Sequence, residues 1–335
     1  MNKRLNVLFP LTIMFLLTSC NVNKTSLSSS QNATTKDSSS SDTTITLISE
    51  DIPTYEESTT EVAQEITKYV DTNNDVAYIP ANFKVSTKES EKVINTGLVV
   101  IAPDNSEYVW VPTTKTELTS REFGSYYSGS GSVSNYYDES SDAFNKMVNG
   151  TSKYGGFYIG RFETSKGSNN TPRSVRISKS SDGSIWTNFA PQDTQGVCEK
   201  LYSDNDTVEG FFPWGCNIDT TLQWLIDSGN KTFEEVARDS TSWGNYSNDT
   251  FSINATGNLT GVWEEANSNN IYDLAGNNWE WNQERNGSNY VMRGGGYNLM
   301  GGKCEGSRYP AALRDPLPGN NHHPNVTFRI GLYLK

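Results

Sequence analysis

Apolar spacing divides the chain into stretches of different character. Leu5 to Leu17 is an almost continuous apolar run, and the residues that follow to Glu50 show no sustained period. Between Tyr55 and Val70, the residues Val62, Ile66 and Val70 stand four apart, which predicts a short amphipathic helix. Alternation of apolar and polar residues sets in near Tyr78-Ile79-Pro80. Gly97–Ile101 followed by Tyr108–Pro112 predicts a β-hairpin, with Asp104-Asn105 supplying the turn. Farther on, Gly155–Glu163 predicts a strand with Phe157, Ile159 and Phe162 on its core face. A helix is predicted within Trp186–Tyr202, with Pro191 near its start and Val197, Cys198 and Leu201 on one side. Asp219–Gln223 predicts a capped helix start, because Thr220 and Gln223 have capping-box spacing and Leu222, Leu225 and Ile226 form a stripe. Long Asn/Gly/Ser loops separate these elements, so the expected class is α+β with much irregular structure.

The first run is too short to span a bilayer: at about 1.5 Å per helical residue it reaches about 20 Å against a hydrocarbon core of ~30 Å. Lys3 and Arg4 precede it and Leu17-Thr18-Ser19-Cys20 closes it, an order that resembles a bacterial lipobox. The expected organisation is a signal peptide over 1–19, a lipid-anchored stalk over 20–75 and a folded domain over 76–335. Cys20 is the expected lipidation site, the membrane is reached through that anchor, and the expected location is the bacterial cell envelope, exposed at its surface. From Asn21 to Glu50, 15 of 30 residues are Ser or Thr, too few apolar groups to fold, so this part reads as a tether.

Composition narrows the function. The formal net charge is −12 and no Lys/Arg run offers a phosphate-binding stripe, so nucleic acid is excluded as a partner. Only 34% of residues are apolar, but 8 Trp, 17 Tyr and 13 Phe suffice for a core. Cys198 and Cys216 are open to two readings, a disulfide closing a modest loop or two small core thiols. His322 and His323 sit in a Gly-Asn-Asn-His-His-Pro sequence that reads as an exposed loop.

The order of motifs resembles the formylglycine-generating-enzyme family, also called the sulfatase-modifying-factor domain. Tyr158–Glu163 is similar to its opening strand, and Trp186–Cys198 and Asp219–Trp224 to its two helices. Asn270-Ile-Tyr-Asp-Leu-Ala-Gly-Asn-Asn-Trp-Glu-Trp281 is similar to its most recognisable segment. Arg293–Tyr297 and Asn325–Arg329 match its closing strands. The resemblance runs from about Trp110 to the last residue and implies a C-type-lectin-like fold. Members hold copper(I) on two thiolates, a soft-ligand site that needs both sulfurs. Here the second cysteine falls on Cys304, but the first falls on Leu299, and the serine of the preceding turn is Gly296. Copper is therefore not expected, and Cys304 remains a weak catalytic candidate. The family also implies Ca²⁺ at Asp273, the Gly276 and Asn278 carbonyls and Glu280, all hard oxygen donors.

Two functions follow. The first is a surface-anchored, non-catalytic recognition lipoprotein. Its ligand would be a glycan, a peptide or a host protein, met by Trp281, Tyr290, Tyr297, Asn298, Tyr309, Arg314 and Asn325, which flank the family's cleft positions. One subclass of the fold is diversified by retroelements at its C-terminal part, a question for the neighbouring genes. The alternative is an oxidoreductase of the sulfatase-modifying-factor type acting on protein cysteine; fold alone does not decide between them.

Overall fold

The computed structural model describes residues 64–119, 135–246, 257–297 and 309–335, as a mixed α+β protein with mostly sheet and few helices. Strands β1 (Thr67–Val70) and β2 (Val76–Ile79) pair with each other, and β3 (Lys84–Val85), β4 (Val99–Ile101) and β5 (Glu107–Pro112) open the main sheet. Helix α1 (Lys115–Thr119), strand β6 (Tyr136–Asp138) and helix α2 (Asp142–Tyr154) precede β7 (Gly156–Gly160). The polar middle adds a minimal ladder of β8 (Ser165–Lys166) with β9 (Pro172–Arg173), then α3 (Thr194–Cys198) and β10 (Val208–Phe211). Helices α4 (Gly215–Asp227) and α5 (Phe233–Ala237) lead to the small pair β11 (Asn267–Ser268) and β12 (Ile271–Tyr272). Strands β13 (Trp279–Asn286), β14 (Asn289–Arg293), β15 (Asp315–Pro318), β16 (Val326–Phe328) and β17 (Gly331–Leu334) complete the described chain.

The main sheet is antiparallel in the order β10-β17-β7-β5-β4-β3. Its centre is buried on both faces. Alternate residues of β5 and β7 show why: Val109, Val111, Phe157 and Ile159 join one apolar cluster with α2 and α4, whereas Tyr108, Trp110 and Tyr158 join another with the second sheet. That second sheet runs β15-β14-β13-β16, with β16 parallel to β13 and β6 paired to the far end of β13.

The hairpin expected over Gly97–Pro112 forms as β4–β5, Val99 opposite Val109. Asn105 takes a left-handed φ of 63° in its turn, and the Asp104 carboxylate accepts from Ser106 N at 3.0 Å. Other expectations are corrected. The tract expected as a helix ends in a strand, β1, because Asp71 fixes the following turn: its carboxylate accepts from Asn73 N, Asp75 N and Ile94 N at 2.8, 2.9 and 2.9 Å. Those bonds tie residues assigned to the stalk into the folded part. Helix α4 begins at Gly215, four residues ahead of the expected start. Its first amides are capped from another element, the Asp138 carboxylate accepting from Gly215 N and Cys216 N at 2.9 and 3.0 Å, and locally Asn217 Oδ1 accepts from Trp214 N at 3.0 Å, with a tryptophan where Ser, Thr or Asp usually stands. The Trp186–Tyr202 helix shrinks to the five residues of α3, with Pro191–Asp193 as a preceding 3₁₀ turn. Helix α2 was not anticipated, although Ser141 caps it by accepting from Phe144 N and Gly155 ends it in a left-handed conformation.

Candidate functional site

The segment Asn270–Trp281 is a knot of left-handed residues, with positive φ at Asn270, Asp273, Gly276 and Asn277. Its side chains are spent on holding neighbouring loops. Asn270 Nδ2 donates to Gly97 O at 2.7 Å, Asn277 Nδ2 to Glu163 Oε2 at 2.6 Å, and Asn278 N to Glu163 Oε1 at 2.8 Å. A Cβ at Gly276 would run into the backbone of Asn245, which pairs with it in an isolated parallel bridge. The chain just beyond β7 is thus stitched to the recognisable segment by the buried Glu163.

Three buried carboxylates, Glu163, Asp273 and Glu280, gather in this region near the guanidinium of Arg329. Arg329 clamps Glu280, Nε lying 2.9 and 3.1 Å from its two oxygens and Nη2 2.6 Å from Oε1, and also donates to the Tyr272 and Gly160 carbonyls. The Asp273 carboxylate accepts from Thr260 Oγ1 and Gly261 N at 2.8 and 3.0 Å and from Asn245 Nδ2 at 3.4 Å. Burial pushes Glu163 well above the ordinary carboxylate range, and its two acidic neighbours push it further; burial also raises Asp273 and Glu280, the latter against the pull of Arg329. The donor set does not fit the calcium expected at Asp273, Gly276, Asn278 and Glu280. Both carboxylates are engaged by protein donors, and a guanidinium occupies the edge of Glu280 that a hard cation would need.

The expected ligand-binding residues separate into interior and surface groups. Trp281 and Arg314 are each 1% exposed and lie in the core, which corrects their assignment. Arg314 belongs to a buried ion quartet with Arg293, Asp219 and Glu284. In it Arg314 Nε lies 2.9 and 3.0 Å from the Glu284 oxygens, Arg314 Nη2 meets Asp219 Oδ2, and Arg293 reaches Asp219 at 2.6 Å and Glu284 at 3.3 Å. Among the described residues two guanidiniums meet two carboxylates there, pinning α4 to β13 and β14 and to Arg314 just before β15. Gly215 permits this, since a Cβ there would lie 2.6 Å from the Glu284 carboxyl carbon.

Tyr297, Tyr309 and Asn325 form the partly exposed group. Tyr297 is held by its N–H donating to Asn277 O at 2.7 Å, and its hydroxyl lies 3.3 Å from Asn325 Oδ1. Asn325 O in turn accepts from Trp279 N at 3.1 Å, and Tyr309 packs edge-on against Trp279 with ring centroids 5.7 Å apart. One side of this group is therefore a strand-anchored aromatic and amide surface. Tyr290 is elsewhere, near the β13–β14 hairpin end, under the guanidinium of Arg285 at 3.3 Å. Asn298, Leu299, Cys304 and Cys20 lie outside the described residues.

Of the two readings for Cys198 and Cys216, the core-thiol one holds: both are buried thiols and they belong to different apolar clusters. Burial raises the Cys198 thiol far above its usual range, which removes thiolate character. His322 is exposed, with Nδ1 3.1 Å from the Asn188 carbonyl.

No protein-family model matches the sequence, and no curated protein matches it. Among solved structures, the crystal structure of CarF is similar at 13% identity and a TM-score of 0.37, over 54% of this chain and 87% of that one. Treponema denticola variable protein 1 is similar at 12% identity and a TM-score of 0.33, over 79% of this chain and 98% of that one. The Major Tropism Determinant U1 variant gives 12% and 0.33 over 81% and 73%.

Proposed function

We propose that the chain is a surface-anchored recognition lipoprotein that binds a glycan, peptide or host-protein ligand without catalysis, on a C-type-lectin-like scaffold. The observation that carries this reading is the Tyr297–Asn325 pair beside the Tyr309–Trp279 contact. The Tyr297 and Tyr309 rings and the Asn325 amide are partly exposed beside the buried Trp279, and backbone bonds to Asn277 and Trp279 hold Tyr297 and Asn325 in place. Such residues offer large contact area and adaptable hydrogen bonds at little cost in side-chain entropy. The scaffold label rests on the order of the sequence motifs. Anchoring rests on Leu-Thr-Ser-Cys20, and the Ser/Thr-rich tract after it supplies reach between membrane and domain.

Two measurements test the reading. Metabolic acyl labelling should be lost in Cys20→Ser, and unchanged labelling would remove the anchor. Fluorescent full-length protein should bind host-cell surfaces in flow cytometry, with Tyr297→Ala and Asn325→Ala each weakening binding about tenfold, or ~1.4 kcal/mol. Equal binding by all three proteins, or conversion of a cysteine peptide to an aldehyde by the wild type, would reject it.

A further inference from the structure

The dipeptide Asn-Gly occurs at Asn149-Gly150 and at Asn286-Gly287, in opposite surroundings. Such a pair carries latent chemistry, because no Cβ on the glycine shields its backbone nitrogen. Once that nitrogen gives up its proton it can attack the asparagine Cγ. A C–N bond forms, the side-chain nitrogen leaves with a proton as ammonia, and a five-membered succinimide closes. Water then adds at one of the two ring carbonyls and opens the ring to aspartate or isoaspartate. One water is consumed and one ammonia released, with no oxidant, reductant or metal in the balance.

The fold separates the two copies. Asn149-Gly150 lies inside α2, where the Gly150 N–H belongs to the helical ladder and donates to the carbonyl four residues back. Gly150 is also buried, and a Cβ there would run into the Leu334 carbonyl and the Tyr333 ring, so the backbone has no room to close on the Asn149 side chain. Asn286 instead ends β13. It faces Asn289 across the hairpin, so Gly287 and Ser288 make a two-residue turn, with Gly287 at a φ of 59°. The ladder bonds that close such a turn belong to Asn286 and Asn289, and among the described residues the Gly287 N–H has no backbone partner. Gly287 is exposed, and a Cβ built on it would meet nothing within 4 Å. Asn286 is half-buried, and its carboxamide makes no hydrogen bond to a described residue. Both reacting groups are therefore unengaged at position 286, and at position 149 the nitrogen is locked.

We propose that Asn286 is a self-modification site, converted in the folded protein through a succinimide with Gly287 to aspartate and isoaspartate, while α2 protects Asn149. Either product places a negative charge beside Arg285, whose guanidinium lies 3.3 Å from the centre of the Tyr290 ring. Isoaspartate also routes the chain through Cγ, and the extra backbone atom breaks the pairing of Asn286 with Asn289. The test holds the folded full-length protein at mildly alkaline pH in heavy-oxygen water, digests it with chymotrypsin and reads both asparagines by mass spectrometry; a second sample is held in urea. In the folded protein Asn286 should convert at least about tenfold faster than Asn149. Its products should carry one heavy oxygen, and part of them should be methylated by an isoaspartyl methyltransferase. In urea, where neither site is structured, the two rates should agree within about threefold. Asn286→Gln lengthens the side chain by one methylene, and should keep the melting midpoint and lose the acidic species. The proposal is overturned if Asn286 lasts as long as Asn149 in the folded protein, if the products carry no heavy oxygen, or if Asn286→Gln forms the acidic species undiminished.

Discussion

Glu284→Gln alters a handful of atoms and removes one charge from the interior. In the wild type the Glu284 carboxylate faces Arg314 Nε at 2.9 and 3.0 Å and Arg293 Nη1 at 3.3 Å, and with Asp219 it balances two guanidiniums that are at most 2% exposed. Among the described residues the substitution leaves two positive charges against one negative, out of reach of water. Burial and the nearby Arg314 already lower the proton affinity of Arg293, so the site has little tolerance for a further loss of negative charge. Breaking a buried pair by removing one partner costs about 3–5 kcal/mol, a large part of the 5–15 kcal/mol that usually holds a protein folded. At ~2–4 °C per kcal/mol for a domain of this size, the midpoint should fall by about 6–20 °C. Calorimetry supplies the midpoint and urea titration the free energy, and 1 M salt should change the difference little because buried charges are poorly screened. Replacing Glu284 and Arg314 together by Met restores charge balance and should regain most of the loss. A loss below about 1 kcal/mol for Glu284→Gln, or a double variant no better than the single one, would refute the reasoning.

Three further outcomes are expected. Because Asp273 and Glu280 are engaged by protein donors, EDTA should leave the melting midpoint unchanged; a chelator-dependent fall reversed by Ca²⁺ would restore the calcium site. Glu163 has a raised folded-state pKa, so it binds protons more readily folded than unfolded, and the stability this contributes is present at low pH and lost as pH rises through the folded pKa. Wild type should therefore gain on Glu163→Gln as pH falls from 7 toward 5, by up to about 1.4 kcal/mol per pH unit, and a flat difference in urea titrations counts against the raised pKa. Gly276→Ala places a Cβ against the Asn245 backbone at a φ of +78° and should destabilise by about 1–3 kcal/mol or more; a midpoint within 2 °C (roughly 1 kcal/mol) of wild type would contradict the packing.

Elements built from local pattern were legible in the sequence, and elements built from distant contacts were not. The β4–β5 hairpin was read correctly because its apolar runs and its Asp104-Asn105 turn are contiguous. Helix α4 was misplaced at its start because its first amides are capped by Asp138, 77 residues before Gly215, and its local Trp214–Asn217 pair lacks the usual Ser, Thr or Asp at the cap. Ser141 and the helical spacing of Phe144, Met147, Val148 and Thr151 were sufficient to find α2, a signal that was present and missed. Of the residues expected at the ligand site, Tyr297 and Asn325 are partly exposed and lie 3.3 Å apart, whereas Arg314 and Trp281 are interior. Nothing local distinguishes an arginine that meets two distant acids from one that meets solvent.

Strand β17 has a consequence for the order of events in synthesis. It lies between β10 and β7, so residues 331–334 fill the gap between strands made some 120 and 170 residues earlier. A nascent chain that has reached residue 300 holds both neighbours and lacks the strand that joins them. Strands β3, β4, β5 and β7 can pair with one another before then, but joining β10 to them waits until translation has passed Leu334.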